Sequence, residues 1–149
     1  MRETRNWRSP LKEIYEMDVY RLAERVSDMI WHDYDAWPQK VQRTMGYQAT
    51  DAVDSIAANI AEGYGRFHIA ERKLFYRYAR GSFEETKAWL RKLIRREVIA
   101  SPQRIAEYKL VIDELGPKLN AFIRATKAPV SSFPAGGGTR SSKDQVSQA

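Results

Sequence analysis

The sequence predicts an all-α protein that folds as an antiparallel up-and-down four-helix bundle. Four segments repeat apolar residues at spacings of three and four, which is the period of one face of a helix. The connections between these segments are short and contain aspartate, proline or glycine, and no segment alternates apolar and polar residues as a half-buried strand does. Helices joined by short connections pack as antiparallel neighbours, so we expect one shared core.

The first two helices are each marked by an apolar stripe. We predict the first from about Leu11 to Tyr34 and the second from about Gln39 to Glu62, with Trp37 packing the corner between them onto the core. The first stripe consists of Tyr15, Val19, Leu22, Val26, Met29 and Ile30; the second consists of Val41, Met45, Ala49, Val53, Ile56 and Ile60. Gly46 interrupts the second helix and costs about 1 kcal/mol relative to alanine if its site is an ordinary helix interior.

The third helix is the longest, from about His68 to Glu97, or about 45 Å at 1.5 Å per residue. Its predicted buried seam is Phe75, Ala79, Ser82, Thr86, Trp89 and Leu93. Six basic residues lie within about 40° of one direction, opposite that seam: Lys73, Arg77, Arg80, Lys87, Arg91 and Arg95. Gly81 and Ser82 leave little side-chain volume in mid-helix, which favours a close helix crossing there over a kink.

The fourth helix has a clear start signal. Ser101 is placed to cap it and Pro102 to occupy its first position. Its apolar stripe is Ile105, Tyr108, Ile112, Leu115, Leu119 and Phe122. Gly116 and Pro117 interrupt this stripe, so a bend and a brief break in the helix are both open.

Three parts of the chain differ in composition. Residues 1–12 form a basic arm without a sustained period, residues 13–127 contain the four helices, and residues 128–149 are rich in serine, glycine and proline. The last part has too few apolar residues to bury, so we expect a flexible tail. At 149 residues the chain suits one domain.

The composition excludes several classes of protein. With 43% hydrophobic and 30% charged residues the chain is typical of a globular protein, and no apolar run approaches the roughly 20 residues that a membrane helix needs. The start lacks the apolar core of a signal peptide, so we expect a cytoplasmic protein without a membrane partner. Cysteine is absent, which excludes disulfides and thiolate chemistry.

The positive charge is concentrated in one segment. Residues 66–97 carry ten basic and four acidic residues, a net charge of +6 that equals the net charge of the whole chain. The first 65 residues carry eight basic and eleven acidic residues. A basic segment of this kind raises the expectation of a polyanionic partner, usually nucleic acid.

No set of residues in the sequence predicts catalysis, a cofactor or a metal site. A di-metal site in a helix bundle needs Glu-x-x-His pairs, but Met29 and Gly65 stand three residues before the only two histidines, His32 and His68. The glycines of Gly63-Tyr64-Gly65 follow a helix and not a strand, so a turn explains them better than a phosphate loop. We therefore predict a protein that is not an enzyme.

The basic face of the third helix is the candidate binding site. Arginine offers forked donors to phosphate, and Tyr76 is placed to stack on a base. The predicted phosphate-contacting residues are Arg66, Lys73, Arg77, Arg80, Lys87, Arg91 and Arg95. The alternative is an ordinary solvated helix surface. No base-reading motif is present, so binding would depend mainly on the phosphate backbone and on salt.

The segment Ser55–Arg66 joins the second helix to the third. It reads S-I-A-A-N-I-A-E-G-Y-G-R. Asn59, Glu62, Gly63 and Gly65 are the predicted structural residues of this turn. Either glycine can adopt the left-handed conformation that ends a helix, while the two polar side chains bond to loop backbone and to a neighbouring arginine. The turn would decide which way the basic face of the third helix points.

This segment resembles the signature S-I-P-S-N-I-A-E-G-Y-G-R of the four-helix-bundle proteins encoded in intervening sequences of bacterial 23S ribosomal RNA genes. The segment Ala79–Glu85, A-R-G-S-F-E-E, matches the A-x-G-S-x-x-E pattern of the same family. The likeness covers roughly residues 15 to 125. Ala57 and Ala58 depart from it, because the family usually has proline and serine there.

The resemblance implies a small bundle that assembles into a ring, typically a homopentamer, and not an enzyme. The chain is also similar to the accessory variability proteins of diversity-generating retroelements, which bind a reverse transcriptase. The expected partners are therefore RNA rather than DNA, further copies of the chain, and, as the alternative function, a reverse transcriptase for which the protein is an interaction scaffold.

Overall fold

The computed structural model describes residues 13–126. The predicted basic arm and the predicted tail lie outside the described residues. Residues 13–126 form a short 3-10 turn, Ile14–Glu16, and four long helices. No strand occurs in this part of the chain, so the all-helical prediction is confirmed.

The four long helices are labelled α1 to α4. Helix α1 is Asp18–Tyr34, α3 is Ile69–Arg95 and α4 is Pro102–Ala125. Helix α2 is a continuous segment made of Gln39–Val41, a π-helical turn at Gln42–Gly46, and Tyr47–Tyr64.

Each long helix packs on two others around one hydrophobic core. Helix α2 contacts α1 and α3, and α4 contacts α1 and α3, which closes the set of neighbours. The predicted stripe of α2 is confirmed, because all six of its residues are buried. Trp37 is buried as predicted, and its ring packs against that of Tyr34 with centroids 5.9 Å apart.

Gly46 does not occupy an ordinary helix interior. It ends the π-helical turn, and a Cβ atom there would lie 3.0 Å from Cε2 of Tyr34 and 3.2 Å from Cε3 of Trp37. Tyr34 is held in place by two hydrogen bonds, since its hydroxyl donates to the carbonyl of Gln42 and Nε2 of Gln42 donates to the carbonyl of Tyr34, both at 2.9 Å. Glycine is therefore needed here because the rings of Tyr34 and Trp37 pack directly against the backbone of α2. Helix propensity alone does not predict this requirement.

Helix α1 begins later than predicted, and Tyr15 is not part of its buried stripe. Met17 is extended, with ψ of 136°, so the 3-10 turn before it does not share the phase of α1. Tyr15 is consequently 58% exposed, whereas Ile14 is buried. The rest of the predicted stripe of α1 is buried.

Three of the six residues in the predicted seam of α3 are wrong by one position, and the other three are buried as predicted. The buried residues are Tyr76, Ala79, Phe83, Thr86, Leu90 and Leu93. Phe75, Ser82 and Trp89 are only half-buried. Tyr76 is 2% exposed, so the prediction that it stacks on a base is wrong.

Two glycines on neighbouring helices explain this register. A Cβ at Gly63 of α2 would lie 2.7 Å from Cε1 of Tyr76, and a Cβ at Gly116 of α4 would lie 3.1 Å from Cζ of Phe83. Each bulky ring of α3 thus fits against a position without a side chain. A Cβ at Gly81 would meet nothing within 4 Å, so the predicted close crossing at Gly81 is wrong.

The connection from α3 to α4 has well-defined ends. Glu97 has a φ of 59°, and the N–H of Val98 donates to the carbonyl of Leu93 at 2.9 Å, which is the bond of a Schellman motif. The predicted cap of α4 is confirmed, because Oγ of Ser101 accepts a hydrogen bond from the N–H of Arg104 at 3.2 Å. Helix α4 runs through Pro117 without a break.

Candidate nucleic-acid interface

The predicted basic residues all reach the surface of the protein. Arg66 and Lys73 are half-buried, and the other five are exposed: Arg77, Arg80, Lys87, Arg91 and Arg95. We call these seven residues the basic stripe. Six lie along α3, and Arg66 lies in the turn before that helix.

Most of the stripe carries uncompensated charge. Within residues 13–126, only two of its members form an ion pair, both with a residue three or four positions away. Arg66 pairs with Glu62 at 2.6 Å, and Lys87 pairs with Glu84 at 3.3 Å. Exposed pairs of this kind contribute about 0–1 kcal/mol, so a phosphate group can replace the carboxylate at low cost.

The stripe does not lie opposite the buried face of α3 as predicted. At 100° per residue, its centre is about 110° from the centre of the observed buried face, compared with about 160° from the predicted seam. The stripe is therefore turned towards α4. Its carboxy-terminal half borders an open groove of about 420 Å³ between the two helices.

This groove has an apolar floor and a basic rim. The floor is formed by Leu90 and Ile94 of α3 with Ile105, Tyr108 and Ile112 of α4; the rim is formed by Lys87, Arg91, Arg95, Lys109 and Asp113. Asp113 pairs with Lys109, so its charge is compensated within the rim.

The turn before α3 is not built as predicted. Neither glycine is left-handed, since Gly65 has a φ of −78° and no glycine among the described residues has a positive φ. Asn59 donates to the carbonyl of Ser55 at 2.7 Å, within its own helix and not to a loop. Glu62 accepts a hydrogen bond from Nη2 of Arg66 at 2.6 Å, so for this residue the predicted bond to a neighbouring arginine is confirmed. The turn is positioned instead by the contact between Gly63 and the ring of Tyr76.

Arg72 is a further structural residue of this turn, and sequence reasoning missed it. Its Nε donates to the carbonyl of Arg66 at 2.6 Å, which ties the first turn of α3 to the residue that precedes the helix. Arg72 is half-buried, unlike most basic residues of α3, and its place in the sequence does not show this burial.

Exposed aromatic residues lie near the amino-terminal end of the stripe. Phe67 is 88% exposed and Tyr78 is 50% exposed. Phe75 connects Tyr78 to the stripe, because the guanidinium of Arg66 lies 4.7 Å above the ring of Phe75 and the centroid of that ring is 5.7 Å from that of Tyr78. Phe67 follows Arg66 directly in the chain. Phe67 and Tyr78 therefore replace Tyr76 as candidates for stacking on bases.

A polar network joins the end of α1 to the start of α4. Nε and Nη2 of Arg104 donate to Oδ2 and Oδ1 of Asp33 at 2.8 and 3.0 Å, and the hydroxyl of Tyr108 donates to Oδ2 of Asp33 at 2.6 Å. Burial, reinforced by this hydrogen bond, raises the pKa of Tyr108 far above its usual value. Both oxygens of Asp33 are engaged, so its role is structural, and the sequence did not show its partners.

Residues 13–126 contain neither a cluster of potential metal ligands nor a helix suited to crossing a membrane. Across residues 13–126, no three histidine, cysteine, aspartate or glutamate residues come together in a way that could hold a metal ion. No helix in the same range is both long enough and apolar enough to cross a membrane.

Comparison with known proteins identifies a matching family and similar solved structures. Residues 15–121 match the model of the family described as 23S rRNA-intervening sequence protein. The chain is also similar to the crystal structure of a protein of unknown function from the S23 ribosomal protein family of Bacteroides thetaiotaomicron, with a TM-score of 0.62, 22% identity, and coverage of 71% of this chain and 98% of that chain. At this identity the likeness concerns the fold alone. No curated protein matches the chain.

Proposed function

The chain belongs to the 23S rRNA-intervening sequence protein family, and we propose that it is a cytoplasmic, non-enzymatic protein that binds RNA through the basic stripe. The observation that carries this proposal is the row of cations along one side of α3 that form no ion pair within residues 13–126. These are Lys73, Arg77, Arg80, Arg91 and Arg95. From the first to the last, the row spans about 33 Å, long enough to follow several successive phosphates.

The proposed mode of binding is contact with the phosphate backbone, supplemented by stacking. Arginine guanidinium groups match phosphate oxygens in a bidentate geometry. Phe67 and Tyr78 offer exposed rings beside the stripe, and unpaired bases stack on such rings at about 1–3 kcal/mol each. This combination suits RNA with loops or single-stranded ends better than a continuous duplex.

The proposed assembly is an antiparallel four-helix bundle that forms a homopentameric ring. Contacts between opposite ends of helices support the antiparallel order. Asp33 near the end of α1 bonds to Arg104 near the start of α4, and Lys118 late in α4 lies 3.6 Å from Asp18 at the start of α1. A ring would present several copies of the stripe to one RNA, which raises the apparent affinity through effective concentration.

The experiment measures binding of a fluorescently labelled RNA hairpin to the double variant Arg77→Glu/Arg91→Glu. We expect binding to be abolished while the helical circular dichroism spectrum is retained. Lys40→Glu/Arg43→Glu is the matched control, because it makes the same change in net charge at two exposed residues of α2. Unchanged affinity in the stripe variant would refute the proposal.

Salt dependence gives a second measurement on the unmodified protein. If five phosphates are neutralised in single-stranded RNA, log affinity falls with log salt with a slope of about −3.5. Affinity should then fall about 100-fold between about 50 and 200 mM salt. A slope near zero would show that the cations of the stripe do not contact phosphate.

A second candidate function is a protein-interaction scaffold, for example as an accessory subunit of a reverse transcriptase. The observation that favours it is the exposure of large apolar side chains outside the stripe, such as Trp31, which is 69% exposed. A complex with a purified reverse transcriptase that survives nuclease treatment would support this function. Loss of the complex on nuclease treatment would indicate that RNA bridges the two proteins.

A further inference from the structure

The groove between α3 and α4 has an apolar floor, which phosphate binding does not use. Its floor contains half-buried aliphatic side chains, Ile94, Ile105 and Ile112, which pack against the core on one side only. Its rim contains Arg91 and Arg95, and neither forms an ion pair with any described residue. An apolar floor with free cations along its α3 side suits a guest that is apolar on one face and anionic along one edge.

A nucleobase is a poor guest for this floor. Bases bind to proteins by stacking on aromatic rings or by hydrogen bonds to their edges. Among residues 13–126, the only ring that lines the groove is that of Tyr108, which is 2% exposed and whose hydroxyl already donates to Asp33. The rest of the floor is aliphatic, and such surfaces take leucine-like side chains.

The size of the groove matches two turns of a helix. From Lys87 to Arg95 along α3 is eight residues, or about 12 Å. An amphipathic helix laid in a groove anchors through apolar residues at positions i, i+3, i+4 and i+7, which cover this length. Acidic residues beside those anchors would face Arg91 and Arg95.

The terminal segments of the chain itself do not have the matching charge. Residues 1–12 contain four basic residues and one acidic residue, and residues 127–149 contain three basic residues and one acidic residue. Both segments would be repelled by the rim of the groove. Charge complementarity therefore selects a different protein.

We propose that the groove between α3 and α4 binds an acidic amphipathic helix of a partner protein. Leucine-like side chains of the helix would cover Ile94, Ile105 and Ile112, and its carboxylates would pair with Arg91 and Arg95. If the basic stripe also binds RNA as proposed above, the helix and the RNA share these two arginines and compete.

The probe is a fluorescein-labelled peptide of about 18 residues with leucine at the anchor positions, glutamate beside them and alanine elsewhere. Two control peptides have lysine in place of glutamate, or the same composition with the leucines scrambled. We expect the acidic amphipathic peptide to bind at least tenfold more tightly than either control. Equal binding of the scrambled peptide would overturn the proposal.

Variants of the protein localise the peptide. Ile94→Gln/Ile112→Gln, which removes the apolar floor, and Ile112→Trp, which fills the groove without adding polarity, should each weaken peptide binding at least tenfold. Lys73→Glu/Arg77→Glu is the control, because both residues lie on the stripe but outside the groove. Unchanged peptide affinity in both groove variants would refute the site, and circular dichroism establishes that each variant is folded.

Two further outcomes separate this proposal from its alternatives. RNA binding should be retained in Ile94→Gln/Ile112→Gln, since phosphates contact the cations and not the floor. A failure of the peptide proposal can therefore be distinguished from a failure of the RNA proposal. If the groove variants lower the molecular mass of the protein in light scattering without peptide, a second copy of the chain occupies the groove and the proposal is wrong.

Discussion

Replacing Gly63 with alanine should destabilise the protein, although alanine is the better helix former. Gly63 lies in the last turn of α2, and in a helix alanine is favoured over glycine by at most about 1 kcal/mol. The added Cβ would lie 2.7 Å from Cε1 and 2.9 Å from Cδ1 of Tyr76, and 3.0 Å from the carbonyl oxygen of Arg72. Contacts this short force a side chain or a helix to move.

The surroundings of Tyr76 determine the cost. Its ring is 2% exposed and packs against Phe122 with centroids 4.6 Å apart, so it has no free space on the far side. Overpacking of a core costs about 1–3 kcal/mol. After subtraction of the full gain in helix propensity, we expect Gly63→Ala to lower the free energy of unfolding by up to about 2 kcal/mol, and Tm by up to about 8 °C.

Gly81→Ala is the control, because Gly81 is also a helical glycine but a Cβ there meets nothing within 4 Å. This variant should raise the free energy of unfolding by about 1 kcal/mol. Urea denaturation followed by circular dichroism at 222 nm measures both changes. If Gly63→Ala stabilises the protein as Gly81→Ala does, the argument that Gly63 sets the register of α3 is wrong. In a Tyr76→Leu background the penalty should largely disappear, which a double-mutant cycle detects.

Three other substitutions test separate parts of the fold. Glu97→Gly should raise the free energy of unfolding by about 0.5–1 kcal/mol in urea denaturation, because the φ of 59° at this position disfavours a residue with a side chain. Lys92→Gly, inside the helix, is the control and should lower the free energy of unfolding. Asp33→Ala should cost about 1–3 kcal/mol, because it removes the bidentate partner of the half-buried Arg104, which keeps only its pair with Glu107, and the acceptor of the buried Tyr108 hydroxyl. Asp113→Ala at an exposed pair should change stability by less than about 1 kcal/mol. The raised pKa of Tyr108 means that its contribution is full below about pH 10 and is lost above it, so the urea midpoint should fall at alkaline pH, and less steeply in Tyr108→Phe.

The sequence predicted the helices better than their rotation. The stripe of α2 could be found because its residues are strongly apolar and evenly spaced, and all of them are buried. In α3, a spacing of three and four fits two seams equally well, one through Phe75 and Trp89 and one through Tyr76 and Leu90. Both contain aromatic and apolar residues, so local periodicity does not choose between them.

The choice between the two seams depends on residues far away in the chain. Gly63 and Gly116 provide the space that Tyr76 and Phe83 fill, and a pattern within α3 contains no information about either glycine. The same reasoning applies to Asp33, whose partners on α4 are more than 70 positions away. Contacts of this kind become visible only when the helices are placed side by side.

The register of α3 also decides what the basic stripe can do. With the predicted seam, the cations would point into solvent, away from every other helix. The observed register turns the stripe by about 50° towards α4, so that Arg91 and Arg95 border an apolar groove. The spacing of the cations along the helix is the same in both cases, but only the observed register places them beside an apolar surface. The contact between Gly63 and Tyr76 therefore influences the candidate interface although it lies outside it, because it fixes the rotation of α3 that places the cations beside the apolar groove.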